Sequence, residues 1–228
     1  GYNTRVLECR LACCLLGRVL ADRLPRPPAT LGELVRLLPH EPLSSFVGEL
    51  ARVIPDVPLQ LEQIASAAGV TPAALRSSCA IPPDHQGPFA VLRRARHVLT
   101  EAERVERAEE ALHAGDATAF GRLMDASHAS CRDDYEISCQ EIEELVALAK
   151  EAGAVGARLT GAGFGGCTVN LVDEARVGAF LEHVDCRFYR QRLLSGPSVE
   201  AVRFVFTPCA GAEVFPVMFP SPTGQSAS

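Results

Sequence analysis

The sequence predicts an α+β fold: a helical first two-thirds, then a small antiparallel sheet with helices packed on one face. Apolar residues recur near helical period through most of residues 4–151, and that period changes after Gly156. Four glycines between Gly161 and Gly166 then separate two strand-like runs. The first helix is expected over Thr4–Arg23, where Val6, Leu7, Leu11, Leu15, Val19 and Leu20 share one face, until Pro25, Pro27 and Pro28 break it. Between Leu31 and Pro88 seven further prolines divide the chain into short helical pieces (Pro39, Pro42, Pro55, Pro58, Pro72, Pro82 and Pro83). Thr71-Pro72 has the form of an N-cap followed by proline at the first helical position. A long helix is expected from Phe89 to His113. Gly115 and Asp116 stop it and cap the next, which runs to about Ser130. Ser138 with Glu141 fits a capping box opening a helix through Glu151, and Gly153 and Gly156 close it. Ala157–Thr160 and Cys167–Val172 read as strands, Asp173–Val184 as a helix, and Arg203–Thr207 as a third strand of the same sheet. The tail 215–228 has no period and is expected to be disordered.

With 228 residues, 47% of them hydrophobic, the chain can bury a substantial core. Twenty-two Lys+Arg against 28 Asp+Glu give a net charge of -6, which argues against a nucleic-acid or anionic-membrane partner. No run approaches the roughly 18 apolar residues of a membrane span. Leu11–Leu16 lacks a basic leader and does not read as a signal peptide. The nine cysteines form no C-x-x-C pair and are odd in number, so they read as reduced, mostly buried cytoplasmic thiols.

Most of the chemical information lies in Arg158-Leu-Thr-Gly-Ala-Gly-Phe-Gly-Gly-Cys-Thr168. Glycines permit positive φ and remove the Cβ atoms that keep a ligand at a distance. Successive main-chain N–H groups in such a loop can form a nest for phosphate. Gly161, Gly163 and Gly166 satisfy G-x-G-x-x-G, but a strand follows instead of the helix a dinucleotide site needs, and no Gly-Lys-Ser/Thr makes it a Walker loop. A glycine-rich hairpin with no ligand is the competing reading. A second segment, Ser127–Ser138, crowds His128, Arg132, Asp133, Asp134, Tyr135 and Glu136 between two helices. Arg132 could grip a phosphate or carboxylate, or simply pair with Asp133. His128 reads as an interior hydrogen-bonded histidine more readily than as an acid, base or ligand. The Arg93–Arg96 cluster, followed by Glu101, Glu103, Glu106, Glu109 and Glu110, reads as a solvated charged helix.

Three segments together resemble the galactokinase family of GHMP sugar kinases: Tyr2-Asn-Thr-Arg-Val-Leu-Glu-Cys-Arg-Leu-Ala12, Ser127–Cys139 and Leu159–Thr168, with Arg94-Ala-Arg-His97 as a weaker fourth. The resemblance extends to about Val214 and is nearest the N-acetylgalactosamine kinase branch, whose Tyr-Asn-x-Arg-Val-x-Glu-Cys-Arg-Leu-Ala segment it shares. It implies a GHMP kinase C-terminal-like fold and phosphoryl transfer from ATP, with Mg²⁺, to the anomeric hydroxyl of N-acetylgalactosamine or galactose in the cytoplasm. Gly161, Gly163, Gly165 and Gly166 would be the phosphate-binding loop, and Tyr2 would lie against the sugar. On this resemblance residues 1–104 are a helical segment with a Pro-rich insertion, and residues 105–214 a C-terminal-like α+β domain. The family's sugar-gripping first motif, its serine-rich nucleotide loop and its base have no counterpart here. The chain is therefore expected to be the C-terminal half of such a kinase, with no catalytic residue and no metal ligand of its own, inactive alone and monomeric when joined to the N-terminal half. Without that half, Leu7, Leu11 and Leu15 are expected to be exposed. A non-catalytic sugar- and ATP-binding regulator and an inactive truncated product are the alternatives.

Overall fold

The computed structural model describes residues 2–39, 41–193 and 198–207. Helix α1 (Tyr2–Val19) opens the chain, and four short helices follow: α2 (Leu31–Leu37), α3 (Leu43–Ala51), α4 (Leu61–Ala68) and α5 (Pro72–Ser78). Each is bounded by local chemistry. The Thr30 and Thr71 hydroxyls accept from the N3 amides of α2 and α5, and Pro72 stands at the start of α5, as expected from Thr71-Pro72. Gly69 ends α4 in the left-handed conformation at φ 64°.

These helices wrap α1. Leu7, Leu11, Leu15, Leu16 and Leu20 pack with Leu34, Phe46, Leu50, Ile64 and Leu75 and with Val91, Ala95 and Leu99 of α6 (Val91–His113). The expectation that Leu7, Leu11 and Leu15 would be exposed is overturned: they are 7%, 0% and 1% exposed. The Pro-punctuated insertion folds back over α1 and covers that face. Each such side chain contributes about 1.5–3 kcal/mol when fully buried, which is how helices of seven to nine residues hold despite being too short to persist alone.

Helix α6 runs unbroken through residues 104 and 105. Asp116 caps α7 (Ala117–Asp133), its carboxylate accepting from the Ala119 amide at 2.8 Å. Helix α8 (Gln140–Glu151) starts from Cys139, not Ser138, so Ile142 occupies the N3 position and the expected Ser138–Glu141 capping box does not form. The Ser138 hydroxyl donates instead to Glu143.

Strands β1 (Gly156–Thr160) and β2 (Cys167–Leu171) pair antiparallel with Thr160 opposite Cys167 and Gly156 opposite Leu171. Helices α7 and α8 pack on this ribbon. Gly121 of α7 meets Gly156 of β1 so closely that a Cβ at Gly121 would stand 2.4 Å from the Val155 carbonyl oxygen, and one at Gly156 would stand 2.5 Å from the Gly121 Cα. After a 3₁₀ turn (Glu174–Arg176), helix α9 (Val177–Val184) runs into a π turn (Asp185–Tyr189), so the expected helix begins later and ends further on. Phe180, Val184 and Phe188 cover α8 and Ala157.

The third strand does not form. Arg203–Thr207 is irregular, with Phe204 and Phe206 80% and 73% exposed. Alternating apolar residues specify a strand only where a sheet edge offers ladder partners, and this segment is held by a side chain: Arg203 grips the buried Asp185 carboxylate at 2.8–3.1 Å. The tail 215–228 lies outside the described residues.

Candidate functional site

The glycine loop joins β1 to β2 as a strand–loop–strand connection. Gly161, Gly163, Gly165 and Gly166 have φ of 91°, 80°, 129° and 91°, and Phe164 joins them at 58°. An L residue takes these values only with strain, so the glycines are required. They are required for two different reasons. A Cβ at Gly161 or Gly165 meets nothing within 4 Å, and one at Gly166 meets only the Thr160 carbonyl at 3.5 Å. A Cβ at Gly163 would stand 2.6 Å from both the Cβ and the carbonyl oxygen of Ile137. The space beside Gly163 thus belongs to the protein, whereas the spaces beside Gly161 and Gly165 are open.

Ile137 anchors the loop. Its carbonyl accepts from the Phe164 amide at 2.6 Å, and its own amide donates to the Cys131 carbonyl at 3.0 Å. Outside the β1–β2 ladder, the other loop amides donate to no protein acceptor among the described residues. The Phe164 ring remains half exposed.

The segment beneath the loop is held by buried charge. Arg94 is 1% exposed, so the solvated-helix reading of Arg93–Arg96 is overturned. Its guanidinium donates to Glu8 at 2.6 Å, to the Asp134 carbonyl, and to Glu136 at 2.6 Å. Glu8, 2% exposed, also accepts from the Ala90 amide at 2.8 Å and from Arg5 at 3.2 Å. Glu136 stands at φ 53° and is gripped from three sides by Arg5, Arg93 and Arg94. Burial pushes its carboxyl up, but these guanidiniums outweigh that and hold it below the ordinary value. Arg96 bridges Asp134 at 2.7 Å to Asp56 at 2.6 Å. His97 stacks on Tyr135 and meets the Ser130 hydroxyl at 3.0 Å; burial lowers its pKa to about 4. Sequence reasoning missed this network. Its one legible sign is phase: Arg94 lies three residues beyond Val91 and next to Ala95, within the buried stripe of α6.

The other candidates take structural positions. Arg132 forms a two-pronged pair with Asp133 at 2.8 Å, both well exposed, and reaches the half-buried Glu143 at 3.3 Å. Such a surface pair contributes about 0–1 kcal/mol. His128 is buried; its Nδ1 accepts from the Leu159 amide at 3.3 Å, tying α7 to β1. Its Nε2 lies 3.2 Å from a Glu143 oxygen but off the line a hydrogen bond requires. The side chain of Tyr2 lies outside what the structure describes. Among the described residues no disulfide forms, three of eight cysteines are buried and two are exposed, and no helix is long and apolar enough to cross a membrane.

Residues 108–191 match the family GHMP kinases C terminal. The galactokinase of Roseiflexus sp. (strain RS-1) is 53% identical over 97 residues, 42% of this chain and 25% of that protein. The galactokinase of Dictyostelium discoideum is 30% identical over 248 residues, 93% of this chain and 47% of that protein. Among solved structures, Lactococcus lactis galactokinase complexed with galactose shares 46% identity over 44% of this chain and 26% of its own, with a TM-score of 0.42. The chain spans between a quarter and about half the length of these galactokinases.

Proposed function

We propose that the protein, whose residues 108–191 match the family GHMP kinases C terminal and which is similar to galactokinases, supplies the C-terminal half of a cytoplasmic ATP-dependent sugar kinase acting on the anomeric hydroxyl of galactose or N-acetylgalactosamine. The supporting observation is the glycine loop. Gly161 and Gly165 turn Cβ-free backbone toward open space, on a loop whose amides are largely uncommitted and whose base is fixed by Ile137. Such a loop fits an anionic phosphate, received by main-chain N–H groups.

ATP would bring the transferable phosphoryl group. Phosphoryl transfer depends on positioning and charge stabilisation, and this chain's part is to hold phosphate oxygens at Gly161, Gly165 and Gly166 while Ile137 keeps the loop from shifting. Phe164, half exposed at the loop's tip, would flank the bound phosphates, and Tyr2 would lie against the sugar. Mg²⁺ does not fit in the same way. Among the described residues no three His, Cys, Asp or Glu side chains gather to hold a metal. The acidic residues of the Ser127–Ser138 segment are already engaged: Asp133 by Arg132, Asp134 by Arg96, Glu136 by three arginines. A base must reach the sugar hydroxyl, and we assign it, with the remaining sugar contacts, to the N-terminal half of the same polypeptide.

Two measurements test this. Gly165→Ala in the complete enzyme should lose phosphoryl transfer by orders of magnitude, because its Cβ enters the open space a phosphate would occupy; at φ 129° the alanine also carries about 1–3 kcal/mol of strain, so circular dichroism accompanies the assay to show that the fold survives. Near-normal turnover would reduce the loop to a hairpin. The purified 228-residue chain with Mg-ATP and either sugar should release no sugar-dependent ADP, and release above a heat-killed control would overturn the division of the site.

A further inference from the structure

Away from the glycine loop, a cavity of about 490 Å³ opens between α1, the turn at Pro27–Pro28 and the end of α5. Three thiols, Cys13, Cys14 and Cys79, line it together with Ser78, Arg10 and Arg18. Nothing in the proposed phosphoryl transfer uses them. Their environments differ sharply. The Cys13 thiol faces the Pro28 carbonyl at 3.4 Å, and burial pushes its pKa up to about 11. Cys14 is half-buried and reached through the cavity. Cys79 is 3% exposed, caps α5 and shares the cavity wall with Cys14, while the Ser78 hydroxyl lies 4.0 Å from its sulfur. We propose that Cys14 and Cys79 form a peroxide-modifiable dithiol, with Cys14 as the attacking sulfur and Cys79 as the resolving one.

The charge distribution sets the polarity of the pair. The Cys79 thiol donates to the Cys14 sulfur, which holds the Cys14 pKa below the ordinary thiol value; burial opposes this, and Arg18, one turn further along α1, and Ser78 support it. The same bond, with burial, pushes Cys79 the other way. Arg10 adds positive charge on the wall and touches the Cys79 carbonyl at 3.5 Å. Cys14 is therefore the thiolate and Cys79 the proton-bearing partner.

The chemistry balances with a peroxide as oxidant. The Cys14 thiolate attacks one peroxide oxygen, the O–O bond breaks, and hydroxide leaves, giving a sulfenic acid at Cys14. Cys79, surrendering its proton, attacks the Cys14 sulfur; the S–O bond breaks and the oxygen departs as water. Two thiols lose two electrons and one peroxide becomes two waters. The sulfurs then close across the cavity to the roughly 2.05 Å of a disulfide, pinning the helical insertion to α1.

The test treats the protein with one equivalent of hydrogen peroxide and maps tryptic peptides by mass. A species joining Leu11–Arg18 to Ser77–Arg93, lighter by two hydrogens, should form in the wild type and in Cys13→Ser. It should vanish in Cys14→Ser and Cys79→Ser. Persistence in Cys14→Ser would assign the bond to Cys13 and overturn the proposal, as would oxidation confined to the exposed Cys167 or Cys186. Because a variant could fail to fold, the wild type is also alkylated with iodoacetamide across pH. Cys14 should react with a midpoint below that of an ordinary thiol, near 8.5. A midpoint at or above the ordinary value refutes the assignment.

Discussion

Replacing Arg94 by Met tests whether buried charge, and not helix propensity, holds the platform beneath the glycine loop. The Arg94–Glu8 pair is 2.6 Å apart with side chains 1% and 2% exposed, and Arg94 also serves Glu136 and the Asp134 carbonyl. Methionine fills comparable volume and favours helix, so packing and propensity change little. What changes is that Glu8 becomes a buried carboxylate left with the Ala90 amide and Arg5. Removing one partner of such a pair costs about 3–5 kcal/mol, because the remaining charge is uncompensated. Glu8→Gln keeps an acceptor for Ala90 but strands part of the Arg94 charge. In Glu8→Gln with Arg94→Met neither charge is stranded, so the double variant should fall short of the summed single losses by roughly 2 kcal/mol or more. Equilibrium urea unfolding of the four proteins closes the cycle. A loss below about 1 kcal/mol for Arg94→Met, or strict additivity, would refute the reasoning.

Two further perturbations follow from the same packing. Gly121→Ala places a methyl 2.4 Å from the Val155 carbonyl and should cost about 1–3 kcal/mol in the same unfolding assay. Gly48→Ala, inside α3 with nothing within 4 Å of the new methyl, should stabilise by about 0.4–1 kcal/mol. His97 titrates near 6.5 in the unfolded chain and at about 4 in the fold. Between those values the unfolded state binds the extra proton, so stability falls as pH drops from about 6.5 to 4 and is unaffected by this group above that window. His97→Gln should lose this slope, so that the wild-type minus variant stability difference shrinks as pH falls through the window, and a pH dependence unchanged from the wild type would sink the assignment.

The glycine loop was legible because its constraint is local. Four glycines in six residues between two strand-like runs specify positive φ whatever surrounds them, and the resulting strand–loop–strand connection is the one observed. Thr71-Pro72 and Asp116 were legible for the same reason, since a cap is made by residues three apart. Ser138 with Glu141 has the same spacing and formed no box, because α8 begins one residue later. The GHMP kinase resemblance, carried by the order of its motifs, is matched over residues 108–191.

What only the tertiary structure decided are properties of partners distant in sequence. Arg94 looks like a surface charge until Glu8, 86 residues away, and Glu136, 42 away, enclose it. Gly163 reads as one more ligand-facing glycine until Ile137 is seen filling the place of its Cβ. The first helix reads as exposed until the Pro-rich insertion folds across it, and Arg203–Thr207 reads as a strand although no edge pairs with it. In each case the sequence holds one half of an interaction. Burial, charge compensation and ladder pairing are pairwise energies, so their sign is set when the fold supplies, or withholds, the other half.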